Sequence, residues 1–255
     1  MNSGNYGTGT GFFFRLNEKG DSHIPVIITN KHVIKNSKKG YLKMTLQNSE
    51  GGPDINNHAT FEINNFEEAW IFHPDDNVDL CAMPIGPLVK KSKKQNRDFF
   101  YAPLDKSMLP SEKDWTEMFG MEEIIMIGYP NGIWDENHNW PIFRKGITAS
   151  NPMYDWNGKK EFMIDAACFP GSSGSPVLLL NIGSYQSKKG YIFGKNRIKL
   201  LGVLYAGPQH TVEGNVEIIE VPIAQKPIAV SRIPNNLGLV IKSEKILDFE
   251  NYFDS

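Results

Sequence analysis

The chain has 255 residues, 40% of them hydrophobic and 22% charged, so it is long enough to bury a full core in one large domain or two small ones. A formal net charge of −2 argues against a protein built to hold nucleic acid, and two cysteines are too few for a secreted disulfide scaffold. No apolar run reaches the roughly 20 residues of a membrane span, and no secretory signal opens the chain. These features predict a cytoplasmic protein with neither a nucleic-acid nor a membrane partner.

Short apolar segments bounded by turn residues recur along the first third of the chain. They are rich in β-branched and aromatic residues and show almost no helical periodicity, which predicts strands. Evenly spaced short strands are typical of a β-barrel or a β-sandwich. These segments lie at 12–14, 25–29, 41–46, 59–63, 69–72 and 78–83.

Residues 87–120 have a different composition and read as a connector between two β-rich halves, 1–86 and 121–238. The connector contains a lysine cluster at 90–94, which is typical of a solvated loop. Strands resume after it, so that each half holds about six.

The tail, 239–255, changes to a helical pattern. Four apolar residues fall on one side of a helix: Leu239, Ile246, Phe249 and Phe253. This pattern predicts a C-terminal α-helix that docks on the strands. A partner-binding helix is the alternative interpretation.

A glycine- and serine-rich loop at 168–176, CFPGSSGSP, lies between two apolar runs. Gly171 permits a turn in which successive N–H groups point to one side. A hydroxyl beside such a nest suits acyl transfer, with Ser173 as nucleophile and the N–H groups of Gly171 and Ser173 facing the oxyanion. An ordinary Gly/Ser turn is the other interpretation. The nucleophile elbow of α/β-hydrolases fits poorly, because Ser175 takes the place of its last glycine and a β-rich run follows.

Two other segments offer the partners that a serine nucleophile needs. His32 follows the apolar run 26–29, and a histidine at a strand end can face a cleft and stay fixed, so it is the candidate general base. Asp79 is the only aspartate of the cluster 75–79 that runs directly into an apolar strand, which makes it the candidate to orient the imidazole. Taken singly, each residue also has a purely structural interpretation.

The three segments, ITNKHVI at 28–34, DLCAM at 79–83 and GSSGSP at 171–176, occur in the order His, Asp, Ser. Together they resemble the trypsin/chymotrypsin family of serine peptidases, and especially its bacterial HtrA-like branch, over about residues 7–223. The resemblance implies an all-β fold of two six-stranded antiparallel barrels. It also implies a catalytic triad of His32, Asp79 and Ser173 in the cleft between them, with Gly171 and Ser173 forming the oxyanion hole. The loop 134–140, the connector and the tail have no counterpart in the family.

The resemblance further assigns the residues that contact the substrate. Tyr205, Ala206 and Gly207 correspond to the strand that pairs with the backbone of an extended peptide.

The specificity pocket is assigned in the same way. Ala167 stands at the pocket floor and Cys168 near its wall. A neutral floor predicts a small or apolar side chain before the scissile bond, and Glu217 on the wall would reverse that preference.

Two positions depart from the digestive members of the family. Ser172 stands where they carry the aspartate that pairs with a freed N-terminus, so activation by cleavage of a pro-peptide is not expected. Ser175 replaces the second glycine after the nucleophile, and we expect this small side chain to be tolerated.

The sequence thus predicts a serine endopeptidase that hydrolyses a peptide or protein substrate through an acyl-enzyme. No metal or cofactor motif is present: neither cysteine lies in a Cys-x-x-Cys pair and no His-x-x-x-His occurs. Two alternatives stay open. One is a catalytically silent scaffold that holds an extended peptide, and the other is a protease latent until a regulatory partner or additional domain orders its serine loop.

Overall fold

The computed structural model describes residues 7–20, 22–188, 190–207, 209–215, 228–234 and 236–253, without the side chains of 209–215 and 228–234. The N-terminal half contains six strands: β1 (Phe12–Lys19), β2 (Ser22–Thr29), β3 (Lys39–Gln47), β4 (Pro53–Asn64), β5 (Ile71–Phe72) and β6 (Cys81–Pro84). In β1 every second residue is buried from Phe12 to Leu16, as expected of a strand with one face on a core.

The C-terminal half contains ten described strands. They are β7 (Glu123–Gly128), β8 (Ile142–Thr148), β9 (Glu161–Asp165), β10 (Pro176–Asn181), β11 (Ser184–Ser187), β12 (Gly190–Phe193), β13 (Arg197–Ala206), β14 (Gln209–Asn215), β15 (Ile228–Pro234) and β16 (Leu237–Lys242). Six of them close into a barrel in the order β10-β13-β16-β9-β8-β7, while β11 pairs with β12 and β14 with β15 as separate hairpins.

The predicted all-β class is confirmed, and the C-terminal half forms the closed six-stranded barrel. The six strands of the N-terminal half instead form a four-stranded sheet, β1-β2-β6-β5, and a β3–β4 hairpin. The hairpin packs on the sheet through side chains, since Met44 and Phe61 share one buried cluster with Ile27 and Met83. The segment 98–104 also connects them, because it forms backbone hydrogen bonds with β3 at one end and with β1 at the other. This half is therefore held together by its core rather than by one continuous ring of backbone hydrogen bonds within the described residues.

An apolar core joins the two halves. Phe14 and Val26 of the first sheet belong to the same buried cluster as Leu200, Val203 and Ile241 of the barrel. Burial of this kind favours association by about 25 cal/mol per Å² of apolar surface. The seam between the halves is consequently fixed by packing.

Short helices connect the strands. They are α1 (Lys31–Ile34), α2 (Gly86–Lys94), α3 (Glu112–Glu117) and the 3-10 helices Glu67–Ala69, Lys106–Met108, Pro130–Gly132 and Ser243–Tyr252. The lysine cluster expected in a loop lies in α2, which has proline in its first turn and lysines in its last, both favourable positions. In the described part of the chain, no helix is both long and apolar enough to cross a membrane.

The C-terminal helix exists, but its predicted extent and type need correction. Leu239 belongs to β16, which is the last strand of the barrel along the chain, so the helix begins at Ser243. It is a 3-10 helix in which Ser243, Ile246 and Phe249 are buried. This spacing of three residues matches the three residues per turn of a 3-10 helix.

His73 links this 3-10 helix to the loop that carries Asp79. The imidazole is buried, and its Nδ1 accepts a hydrogen bond from the N–H of Asp75 at 3.1 Å. Its Nε2 lies 3.2 Å from the carbonyl oxygen of Lys245 and 3.1 Å from a carboxylate oxygen of Asp248. Because Nδ1 accepts, the proton of the neutral ring sits on Nε2 and is donated toward the helix.

We expect acid to weaken the fold through His73. Burial lowers the pKa of His73, although the neighbouring Asp248 opposes the shift. The unfolded chain, with a histidine pKa of about 6.5, therefore takes up the proton first as the pH falls, and the stability contributed by neutral His73 is complete above that pH and lost below it. The free energy of unfolding in urea should fall more steeply from pH 7 to pH 5 in the wild type than in His73→Gln. An unchanged slope in His73→Gln would contradict the prediction.

Candidate active site

His32 and Asp79 form a hydrogen-bonded pair. The Nδ1 of His32 lies 2.5 Å from Oδ2 of Asp79, and the backbone N–H of His32 donates to Oδ1 of the same carboxylate at 3.1 Å. The buried amide of Asn30 donates to the carbonyl oxygen of Asp79 at 2.8 Å, which ties α1 to the aspartate loop. With Nδ1 engaged, Nε2 of His32 has no hydrogen-bond partner in the described residues. The pair therefore presents a basic nitrogen on a side chain that is 49% exposed.

The serine loop is held by both halves of the molecule. The N–H of Thr10 donates to the carbonyl oxygen of Ser173 at 2.9 Å, and the N–H of Gly174 donates to the carbonyl oxygen of Leu204 at 2.8 Å. The hydroxyl of Thr10 donates to the carbonyl oxygen of Gly171 at 2.8 Å. The loop thus bridges β13 of the barrel and the segment that leads into β1.

Two N–H groups of the loop are left without partners. Those of Ser172, Gly174 and Ser175 donate to backbone carbonyls at 3.0, 2.8 and 3.0 Å, whereas no described residue accepts from Gly171 or Ser173. Gly171 has φ of +85°, and a side chain there would come within 2.5 Å of the carbonyl oxygen of Tyr129. These two free donors, on either side of the bonded N–H of Ser172 and beside the partly exposed Ser173 hydroxyl, can hold an anion.

The neighbours of Ser173 and of His32 in the sequence contact each other. Gly174 packs against Thr29, the last residue of β2, and His32 follows three residues later in α1. Within the described residues, no hydrogen bond joins the Ser173 hydroxyl to His32. Such bonds are often long before substrate binds.

Replacing Gly174 should destabilise the fold. Its φ is +87°, and a side chain would collide with the carbonyl oxygen of Thr10 and the hydroxyl of Thr29. Backbone strain at such a position costs about 1–3 kcal/mol, and the collision adds to it. Gly183→Ala is the matched control, because its φ is +81° and nothing lies within 4 Å of the new side chain. In urea titrations Gly174→Ala should lose clearly more stability than Gly183→Ala, and equal losses would show that the close packing here has no energetic weight.

Ser175 is accommodated by a glycine opposite it. Its side chain is buried, and a side chain on Gly128 would collide with its hydroxyl. The absence of a side chain at Gly128 therefore makes room for Ser175. Ser172 is also buried, and its hydroxyl has no hydrogen-bond partner in the structure.

The residues assigned to the specificity pocket converge beside this loop. The Sγ of Cys168 occupies the space next to Gly238 where a side chain would otherwise stand, and Gly207 lies above the same cysteine. Ala167 precedes Cys168 and is partly exposed. Glu217 lies outside the described residues.

The side chain of Tyr205 is directed into the protein, unlike the exposed Gly207 that follows in the same predicted substrate strand. Its hydroxyl donates to Oε2 of the buried Glu161 at 2.9 Å, and its ring packs on the core between the halves. Ala206 and Gly207 continue toward the pocket, and the backbone groups of Gly207 make no hydrogen bond within the described chain. The assigned substrate edge is therefore open at Gly207.

Neither cysteine forms a disulfide. Burial raises the pKa of the Cys168 thiol to about 11, so it is not a thiolate at neutral pH. No cluster of three or more His, Cys, Asp or Glu side chains is placed to hold a metal ion in the part of the chain that the structure describes.

A family model, the trypsin-like peptidase domain, matches residues 9–183. The chain belongs to the trypsin-like peptidase family. The match contains the histidine, aspartate and serine segments, and it confirms the family suggested by the sequence.

Two solved structures of Rv3671c resemble this peptidase. One is the inactive form of a serine-to-alanine mutant from M. tuberculosis H37Rv, with 14% identity and a TM-score of 0.41 over 93% of this chain and 77% of the other. The second is the inactive form of the Rv3671c protease, with 16% identity and a TM-score of 0.39 over 93% and 79% of the two chains. Comparison with curated proteins gives no match.

The loop 134–140, for which the resemblance to the family gives no counterpart, contacts the N-terminal half. Lys43 of β3 donates to the carbonyl oxygen of Glu136 at 3.2 Å and lies 5.5 Å from the centre of the Trp134 ring. Asn139 donates back to the carbonyl oxygen of Lys43 at 3.2 Å. Nothing in the sequence of the loop predicts this bridge. The positive φ of Asn139 is a turn feature and does not indicate what the loop contacts.

Proposed function

We propose that this peptidase is a serine endopeptidase that works through an acyl-enzyme. His32 is the general base, Asp79 orients it and Ser173 is the nucleophile. The observation that carries the proposal is the combination at one seam of a histidine with a free Nε2 and a serine beside two unpaired N–H groups. Each half of the molecule supplies one part of the arrangement.

The acylation step follows from these positions. Ser173 Oγ attacks the carbonyl carbon of the scissile bond while its proton passes to Nε2 of His32. The carbonyl oxygen takes the electron pair, and the N–H groups of Gly171 and Ser173 stabilise the resulting oxyanion. Collapse of this intermediate breaks the C–N bond, and the imidazolium of His32 protonates the leaving amine.

Deacylation uses the same groups. Water attacks the acyl-enzyme while His32 takes its proton, and the proton then returns to Ser173 as the carboxylic acid leaves. Asp79 stabilises the imidazolium in both steps and keeps the tautomer that leaves Nε2 basic. An extended substrate is held by backbone pairing at Ala206 and Gly207, where Gly207 has free hydrogen-bonding groups.

A fluorophosphonate probe tests the proposal, because it reacts with an activated serine and not with an ordinary hydroxyl. The purified chain should be labelled at Ser173, as located by peptide mass spectrometry, and should cleave an unbiased peptide library. Binding of extended peptides without labelling would support the silent scaffold. Labelling only after addition of a partner would support the latent protease.

A further inference from the structure

A positive charge lies beside the residues assigned to the specificity pocket. Arg144 lies on β8 directly opposite Met126 of β7, and paired residues of antiparallel strands project to the same face. Since Met126 is buried inside the barrel, Arg144 projects inward as well. The next residue, Lys145, projects outward and forms an exposed ion pair with Glu123 at 2.8 Å.

Arg144 contacts the segment that leads into the serine loop. Its Nη1 donates to the carbonyl oxygen of Ala167, and its guanidinium lies 4.8 Å from the centre of the Phe169 ring. Its charge also acts on the Cys168 thiol between them, whose pKa it lowers against the larger effect of burial. The guanidinium therefore spans the floor and wall assigned to the pocket.

Within the described residues, this guanidinium has no carboxylate partner. No Asp or Glu of the described residues forms an ion pair with Arg144. By contrast, Arg197 of β13 forms an ion pair with Glu122 at 2.5 Å. Asp165 acts electrostatically on Cys168, but it is exposed and does not reach Arg144. A guanidinium has five N–H donors, and this side chain makes only one hydrogen bond to the residues that the structure describes.

A partly buried cation without a counter-ion is costly, and an entering anion would remove that cost. On the other side of Cys168, Gly207 is exposed and contributes no side chain. A carboxylate matches the planar donors of arginine better than any neutral group does.

We propose that Arg144 makes the pocket selective for an acidic side chain, glutamate or aspartate, before the scissile bond. The inference rests on the proposed serine endopeptidase function and names its substrate class. It replaces the preference for small or apolar side chains that was predicted from Ala167 alone. That prediction took no account of the charge of Arg144, which lies 23 residues before Ala167 in the chain.

The test uses fluorogenic peptides that differ only in the residue before the cleaved bond: Glu, Asp, Gln, Leu and Lys. For the wild type, kcat/KM should be greater for Glu than for Gln by about tenfold to a hundredfold, the scale of a charge-assisted hydrogen bond. Arg144→Gln should abolish this ratio, and Arg144→Lys should keep part of it. Lys145→Gln, on the outward face of the same strand, should leave it unchanged.

Several outcomes would overturn the inference. They are a wild-type preference for Leu or Lys, a Glu-to-Gln ratio that survives in Arg144→Gln, and an equal loss of all five activities with weaker fluorophosphonate labelling. The last result would show that Arg144 only holds the serine loop in place. If Arg144→Gln does not fold, as judged by thermal unfolding, the ratio in Arg144→Lys decides. Failure of the proposed function itself looks different, because the wild type would then neither label nor cleave any peptide.

Discussion

Ser173→Ala is expected to lower kcat by a factor on the order of 10⁶, the scale found when the nucleophile of a serine peptidase is removed. Alanine lacks the oxygen that forms the acyl-enzyme, while the N–H groups of residues 171 and 173 stay in place. The fold should be unaffected, because the Ser173 hydroxyl makes no hydrogen bond in the described structure. Initial rates on a peptide substrate, together with loss of fluorophosphonate labelling, measure the effect.

Ser172→Ala is the matched control for this variant. Ser172 is the adjacent residue of the same loop, but its hydroxyl is buried and has no partner. Its removal leaves no donor or acceptor unsatisfied, so activity and labelling should stay close to wild type. If Ser173→Ala cleaved normally, or if Ser172→Ala were the inactive variant, the nucleophile would be wrongly assigned.

The sequence was sufficient to predict the elements that carry the candidate site, because each has a strong local signal. The apolar run before His32, the strand after Asp79 and the glycines around Ser173 all lie within a few residues of the group that they position. The apolar run 239–241 also contained a signal for β16, in which Gly238, Val240 and Ile241 are buried. The helical spacing of apolar residues in the tail concealed it, because Leu239 fits both patterns.

The features that the sequence did not reveal depend on contacts between distant segments. Arg144 meets Ala167 only because β8 and β9 are neighbours in the barrel, and nothing near Arg144 in the chain marks it as a pocket residue. His73 reaches Lys245 across 172 positions of sequence. Such pairings are set by strand order and by packing of the core, which local propensity does not determine.

The division of the N-terminal half into a four-stranded sheet and a β3–β4 hairpin also depends on contacts between distant segments. The alternation of β3 and β4 predicts two strands correctly, and Met44 and Phe61 are apolar as a core requires. Whether a hairpin joins its neighbours by hydrogen bonds or only by side chains depends on how its edges meet theirs. That is a property of the assembled sheet and not of either strand.

Asp79→Asn is expected to lower kcat by about 10⁴-fold, the loss seen when the orienting aspartate of such a triad becomes an amide. Oδ2 of Asp79 accepts from Nδ1 of His32 and Oδ1 accepts from its backbone N–H, so the carboxylate uses both oxygens as acceptors. An asparagine offers one acceptor and one donor. If its oxygen keeps the backbone N–H, its NH₂ faces Nδ1, and the imidazole must then carry its proton on Nε2, where it cannot receive one from Ser173.

The matched control is Asp76→Asn, which makes the same change three residues earlier on an exposed position of the same loop. It should keep wild-type kcat. Full pH profiles of kcat separate a tautomer effect from misfolding, because activity in Asp79→Asn should recover partly at high pH, where hydroxide replaces the missing base, while thermal unfolding stays near wild type. An Asp79→Asn enzyme with normal kcat at pH 7 would mean that His32 is oriented by another group, and the role assigned to this aspartate would have to be abandoned.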